Sequence, residues 1–136
     1  MREAIRIRRE ILAEMLAHAE REAQRECCGL LAGRDGAISE IFSAGNASEN
    51  PATSYEIAPA DLFRMMRAIR AARLDLLGIY HSHPQGDNFP SALDVERAFY
   101  PDAAYFVVSP RAKARNPVRA FWIRDAVATE LSVETF

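Results

Sequence analysis

Two histidines at the end of one predicted strand are the feature that most limits how this chain can fold and what it can bind. His81 and His83 follow the apolar run at residues 74–80, whose composition and length predict a buried strand. Side chains two residues apart on a strand point to the same face, so both imidazoles are predicted to lie side by side. Pro84 then removes a backbone donor and predicts the end of the strand. Such a pair is a common metal-ligand arrangement, whereas a single histidine is more often an ordinary hydrogen-bonded side chain.

A carboxylate follows where the next helix is predicted to begin. Ser91-Ala-Leu-Asp94 is close to a capping box, in which the serine caps the first amides and the acid bonds back. On that interpretation Asp94 serves only to start the helix. A first-turn carboxylate can also project toward the end of the strand, so a second role is compatible with the first. His81, His83 and Asp94 could then supply three ligands to one zinc ion, the common number of protein ligands in catalytic zinc sites.

Length, charge, hydropathy and cysteine content argue against a multidomain, nucleic-acid-binding, membrane-spanning or disulfide-bonded protein. A length of 136 residues predicts a single domain, residues 1–136. The formal net charge of −2 predicts no attraction to nucleic acid or to an anionic membrane. No apolar run approaches the roughly 20 residues that span a bilayer, and no apolar signal core follows the charged N-terminal residues. The only cysteines, Cys27 and Cys28, are adjacent, and a bond between them would be strained, which favours a reducing, cytoplasmic location.

The order of predicted elements indicates an α/β fold, with a mixed, curved β-sheet and helices packed on it. Residues 4–7 are predicted to form a short edge strand, and Ile38 and Phe42 are predicted to lie inside. The predicted strands lie at residues 4–7, 26–33, 37–44, 55–57, 74–81, 105–109, 118–123 and 127–133, and the predicted helices begin near residues 9, 59 and 91.

The histidine pair and the capping sequence together resemble the signature of a known family. His81-Ser-His83-Pro, then a short loop, then Ser91-x-x-Asp94, resembles the zinc signature of the JAMM (MPN+) metalloproteases. That signature also needs an upstream glutamate, and Glu26 falls where it is expected. The resemblance covers nearly the whole chain. It implies the MPN fold, a three-layer arrangement like that of cytidine deaminase, as a single JAMM/MPN+ domain of the minimal prokaryotic type.

The resemblance also implies a role for each residue of the motif. His81, His83 and Asp94 would bind Zn²⁺, with a water in the fourth position. Glu26 would act as general base and acid toward that water and the leaving amine. Ser91 would hydrogen-bond the tetrahedral oxyanion. Without the resemblance, Glu26 is interpreted as a solvated carboxylate at the end of a strand.

The implied activity is hydrolysis of a peptide or isopeptide bond after the C-terminal Gly-Gly tail of a ubiquitin-like or sulfur-carrier protein. That protein is the partner the resemblance implies, while formation of a homodimer is left open by the sequence. Two alternatives stay open as well: a non-catalytic binding module stabilised by zinc, and a zinc hydrolase acting on small amides. The patterns of nucleobase deaminases and of the His-Glu-x-x-His proteases are absent from the chain.

Overall fold

The computed structural model of this protein describes residues 2–111 and 115–136. Within that part the chain forms seven strands and three helices. In chain order these are β1 (Ala4–Ile7), α1 (Arg9–Arg21), β2 (Cys28–Arg34), β3 (Ala37–Ala44), α2 (Pro59–Ala71), β4 (Asp75–Ser82), α3 (Ala92–Glu96), β5 (Ala104–Val108), β6 (Val118–Arg124) and β7 (Val127–Thr135). None of the helices in the described residues is long and apolar enough to cross a membrane.

The strands form one mixed sheet that closes into a barrel, in the order β1-β3-β2-β4-β5-β6-β7. The pairing of β4 with β5 is parallel, as are both pairings of β1, and the other neighbours are antiparallel. The predicted α/β class with a curved, mixed sheet is therefore confirmed.

Residues 4–7 form the predicted strand, but the prediction that it lies at an edge of the sheet is wrong. β1 pairs with β3 on one side and with β7 on the other, and so closes the barrel. Ile5 and Ile7 are both buried there. A four-residue run shows its own alternation, but it carries no signal for two partners that lie far away in the sequence.

Neighbouring residues of the central strands face two separate cores. Tyr80 and Phe106 belong to the core beneath α1, together with Met15. Ile79 and Val107 belong to the core beneath α2. Side chains alternate along a strand, so β4 and β5 are buried on both faces, as is usual for parallel neighbours.

Ile38 and Phe42 both pack inside as predicted, but a bulge places them in different cores. Along the antiparallel pair, Ala32 is opposite Glu40 but Gly33 is opposite Ile38, so β3 carries one extra residue. The bulge reverses the alternation. Ile38 consequently packs in the core beneath α1, and Phe42 packs against the core beneath α2.

The predicted strand at residues 55–57 is not formed. Glu56 instead bonds to a loop, since its N–H donates to Oδ1 of Asn46 and its carbonyl accepts from the N–H of Ala47. The side-chain amide of Asn46 also donates to the carbonyls of Glu26 and Ser54. One asparagine therefore satisfies backbone groups that a strand ladder would otherwise satisfy.

Candidate metal centre

The ends of β4 and α3 bring three side chains to one point. Nε2 of His81 lies 3.1 Å from Nε2 of His83. Oδ2 of Asp94 lies 3.0 Å from each of those two nitrogens. His81 is buried, and the other two side chains keep only a small exposed fraction. The three residues predicted as metal ligands thus converge, with one potential ligand atom from each.

The capping box at the start of α3 is formed, and it orients the carboxylate. Oγ of Ser91 accepts from the N–H of Asp94 at 3.1 Å, and the N–H of Ser91 donates to Oδ2 of Asp94 at 2.9 Å. That oxygen is the same one that faces both imidazoles. The two interpretations of Asp94 are therefore both realised: the residue starts the helix, and its carboxylate reaches the end of β4.

The loop after β4 fixes the orientation of His83. Nδ1 of His83 lies 2.6 Å from the backbone carbonyl of Asp87, so this nitrogen carries the proton and donates. The lone pair of Nε2 then points toward the cluster, which is how an outer-shell carbonyl prepares an imidazole to bind a metal. Asn88 ties the loop down, because its buried side-chain amide donates to the carbonyl of Asn116. Sequence reasoning did not find the role of Asp87, because a backbone carbonyl leaves no trace in side-chain identity.

An aromatic ring covers His81. The ring of Tyr55 stacks on the imidazole at 4.5 Å between centroids and 20° between planes. Burial lowers the pKa of His81, against the opposing effect of its hydrogen bond with Asp94. A neutral imidazole is the form that binds a metal. Tyr55 contributes to that burial and so helps to keep His81 in the neutral form. It reaches His81 because residues 55–57 form a loop and not a strand.

Strand pairing brings Glu26 to the cluster. Cys28 of β2 is opposite His81 of β4, so the same antiparallel register extended by two residues places Glu26 opposite His83. One carboxylate oxygen of Glu26 and one ring nitrogen of each histidine lie within 4.8 Å of one another. Ser82 secures this approach, since its buried Oγ accepts from the N–H of Cys27 at 2.8 Å. The position of Ser82 between two histidines, on the opposite face of the strand, was the available signal for this positioning role.

Glu26 is held in an environment that disfavours its ionised form. It is 4% exposed, and its Oε1 is buried with no hydrogen-bond partner among the described residues. Burial raises the pKa of Glu26 to about 7, with His83 opposing and Asp94 reinforcing that effect. The interpretation of Glu26 as a solvated strand-end carboxylate is therefore wrong. A carboxyl group with this pKa can accept and return a proton near neutral pH.

The donor set fits a zinc ion. Tetrahedral zinc with bonds of about 2.0–2.1 Å holds its ligand atoms about 3.3 Å apart, and the three atoms here are 3.0–3.1 Å apart. Burial tends to raise the pKa of Asp94, but hydrogen bonds with both histidines outweigh it and hold the pKa far below its usual range. Burial likewise tends to lower the pKa of His83, yet its bonds to Asp94 and Asp87 raise it. A zinc ion would therefore meet an ionised carboxylate at Asp94.

The two cysteines lie close by but do not join the cluster. Both are free and buried. Burial raises the pKa of Cys27 to about 11 and that of Cys28 to about 12. Since a thiolate is the form that binds metals and reacts, both thiols are inert near neutral pH.

Residues 8–124 match the family described as prokaryotic homologues of the JAB domain. The chain therefore belongs to that family, and its class is that of the JAMM-type peptidases. It is 36% identical over 126 residues to the CysO-cysteine peptidase of Mycobacterium tuberculosis, covering 91% of this chain and 86% of that protein. It is 37% identical over 102 residues to a desampylase of Haloferax volcanii, covering 71% of this chain and 73% of that protein.

Solved structures agree on the fold. A protein from Desulfitobacterium hafniense, solved in solution, superposes with a TM-score of 0.85 at 29% identity, covering 97% of this chain and 92% of that one. A JAB1/MPN domain protein from Archaeoglobus fulgidus superposes with a TM-score of 0.61 at 19% identity, covering 95% of each chain. The second likeness concerns the fold alone, and it confirms the predicted MPN type.

Proposed function

We propose that this protein is a zinc-dependent peptidase that hydrolyses the amide bond after the C-terminal Gly-Gly tail of a ubiquitin-like or sulfur-carrier protein. His81, His83 and Asp94 would hold the zinc ion. When bound, zinc supplies a Lewis acid that lowers the pKa of a coordinated water toward about 7 and polarises a carbonyl. The remaining steps belong to side chains of this protein.

The state of Glu26 is the observation that carries this proposal. Its carboxyl group is buried beside His83, has one oxygen without a partner among the described residues, and has a pKa of about 7. Glu26 takes the proton of the attacking water and returns it to the nitrogen of the leaving amine. General acid–base catalysis of this kind contributes about 10²–10⁴-fold to a rate.

Ser91 is proposed to stabilise the oxyanion. Its Oγ accepts from the N–H of Asp94, so its hydroxyl hydrogen stays free to donate. The residue is exposed at the rim of the cluster. A donor aimed at a developing oxyanion strengthens its bond as charge accumulates in the transition state, and loss of one such donor costs about 10²–10³-fold in kcat.

The substrate class rests on the relatives and on a cavity beside the cluster. The Mycobacterium tuberculosis relative is named for a cysteine adduct of CysO. A cavity of about 420 Å³, hereafter the tail cavity, is lined by Tyr55 and Asp94 together with apolar side chains that include Ile57, Leu62 and Ile79. Its contact with Asp94 suits an extended tail whose last carbonyl reaches the metal. The free, buried thiols support a reducing, cytoplasmic location, and we propose the whole chain as one domain.

Cleavage of defined adducts tests the proposal. A carrier protein ending in Gly-Gly-Cys is incubated with the wild type, with Glu26→Gln and with Glu40→Gln, an exposed control on β3. Mass spectrometry follows the release of cysteine. We expect cleavage by the wild type and by Glu40→Gln, loss of cleavage on chelation with recovery on adding zinc, and at least a 10²-fold loss for Glu26→Gln.

Two results would contradict the proposal. Cleavage that is indifferent to a chelator excludes a metal-dependent reaction. Glu26→Gln with wild-type activity removes the proposed base, and favours a protein in which zinc serves only to stabilise a binding module.

A further inference from the structure

A basic cavity adjoins the loop that orients His83. It has a volume of about 540 Å³, within the range of small-molecule sites. Four guanidinium groups and two carboxylates line it, a formal excess of two positive charges: Arg2, Arg111, Arg115 and Arg119 against Asp87 and Glu130. We refer to it below as the basic cavity. A cavity with this excess of positive charge suits a small anion.

Arg119 is fixed in this cavity before any ligand arrives. Its Nε and Nη2 donate to the two carboxylate oxygens of Glu130 at 3.1 and 2.8 Å. Its guanidinium also lies over the rings of Phe89 and Phe121, at 5.6 and 5.3 Å from their centroids. Nη1 is left, 4.0 Å from the exposed carboxylate of Asp87. The guanidinium is therefore held at a fixed place, so that an anion binding there would pay little entropic cost for ordering it.

Two further arginines supply uncompensated charge. Arg111 and Arg115 are exposed, and no described carboxylate lies within 4.0 Å of either guanidinium. Asn88 and Ser109 are buried polar residues in the lining. A lining of this kind offers both charge and hydrogen-bond donors, the combination that recognises a carboxylate.

The place of the basic cavity relates it to the leaving side of the reaction. Asp87 lines it and holds Nδ1 of His83 through its backbone carbonyl. The tail cavity, by contrast, reaches the cluster through Asp94 and Tyr55, and the two cavities share no lining residue. With the carrier tail in the tail cavity, the basic cavity beside the His83 loop suits the group on the amine side of the bond.

We propose that the basic cavity binds the α-carboxylate of the leaving group, so that the preferred substrates are carrier adducts of a single amino acid. This inference rests on the proposed function. Water adds to the carbonyl carbon of the last glycine, the C–N bond breaks, and the amine takes a proton from Glu26; no oxidant or reductant is needed. A protein joined through a lysine side chain presents neutral backbone amides near that amine, and no carboxylate.

A pair of substrates that differ in one charge tests this inference. A carrier ending in Gly-Gly-Cys is prepared with a free α-carboxylate and, separately, as the primary carboxamide. We expect kcat/KM of the wild type to be roughly 10- to 100-fold higher for the free acid, the range for hydrogen bonds to a charged group. Equal rates would overturn the inference while leaving the proposed peptidase function intact.

A double variant locates the effect. In R111Q/R115Q we expect the ratio of acid to carboxamide rates to fall to about one, with the loss on the acid substrate. The matched control is R67Q/R70Q, which removes two exposed guanidinium groups from α2 and should keep the wild-type ratio. A loss of equal size on both substrates in R111Q/R115Q would count against carboxylate recognition.

Measurement of adduct binding tests carboxylate recognition independently of the proposed cleavage reaction. Calorimetry with Glu26→Gln avoids turnover, and we expect the acid form of the adduct to bind at least about 10-fold more tightly than the carboxamide. Preferential binding of the acid without cleavage by the wild type would refute the peptidase function and support the inference. A last experiment adds inorganic phosphate to the cleavage assay with both substrates. If phosphate changes the acid and carboxamide rates equally and the ratio of those rates stays near one, the cavity binds a free anion and the inference is wrong.

Discussion

Tyr80 and His81 are neighbours on β4, yet they join two histidine–carboxylate clusters that differ in one respect. On the face toward α1, Nδ1 of His18 lies 2.8 Å from the hydroxyl of Tyr80, and its Nε2 lies 2.7 Å from Glu22. Both ring nitrogens therefore have partners. On the other face, Nδ1 of His81 and Oε1 of Glu26 are buried with no partner among the described residues.

This difference separates a cluster whose ring nitrogens are both paired within the chain from one that leaves two buried polar atoms without a partner among the described residues. Buried polar atoms are normally hydrogen-bonded, and each one left unpaired costs about 1–3 kcal/mol. The His18 cluster obeys this rule. The cluster of His81, His83 and Glu26 departs from it at Oε1 of Glu26, the proposed base, and at Nδ1 of His81, the ring nitrogen that is not the proposed ligand atom.

Loss of a ligand gives the largest expected contrast between the two clusters. Structural zinc binding of about 10–16 kcal/mol, divided among four ligands, predicts that His83→Ala weakens zinc affinity on the order of 10²–10³-fold. His18→Gln changes the other cluster and should leave zinc affinity unchanged. Competition with a chromophoric chelator measures both. Equal zinc affinities for His83→Ala and the wild type would show that His83 does not bind the metal.

Replacement of Glu26 tests the difference between the two clusters through the free energy of unfolding. Burial raises the pKa of Glu26 from 4.5 to about 7. Below pH 4.5 the group is protonated in both states, so the burial of Glu26 lowers the stability only as the pH rises from there through about 7. In the zinc-free protein at pH 8, Glu26→Gln should raise the free energy of unfolding by about 3 kcal/mol. Urea unfolding at pH 4.5 and 8 tests this, and a difference that does not vary with pH would contradict it.

Ser91 connects the cap to the proposed chemistry. Ser91→Ala should lower kcat by about 10²-fold through loss of the oxyanion donor, and should lower stability by about 1 kcal/mol through loss of the cap. Ser91→Thr keeps the hydroxyl and should retain most of both. Steady-state kinetics and thermal unfolding are measured on the same samples. Full activity of Ser91→Ala would assign the residue to capping alone.

The smallest effect is expected on the face toward α1. Tyr80→Phe removes the hydroxyl that bonds to Nδ1 of His18 and should cost about 1–2 kcal/mol of stability, since one buried nitrogen loses its partner. Peptidase activity should not change, because the ring of residue 80 faces away from the cluster. Urea unfolding and the cleavage assay measure the two quantities. A large loss of activity would mean that the two faces of β4 are coupled.

Local patterns predicted the elements that present the cluster. The alternation at residues 81 and 83, the capping sequence at Ser91 and the spacing to Asp94 depend on backbone geometry over a few residues, and all appear in the structure as expected. Patterns failed where distant segments decide the outcome. β1 is paired on both sides by strands far away in the sequence, and residues 55–57 form a loop bonded to Asn46 instead of a strand.

The sequence by itself determined that two imidazoles and one carboxylate would meet at the end of β4, because strand alternation and helix capping are local. The place of Glu26 was reached through a family resemblance, and its environment was decided by tertiary structure. Only the pairing of β2 with β4 puts this acid opposite His83, and only burial raises its pKa to about 7. Desolvation depends on everything that surrounds a group, and a linear sequence does not state what those surroundings are.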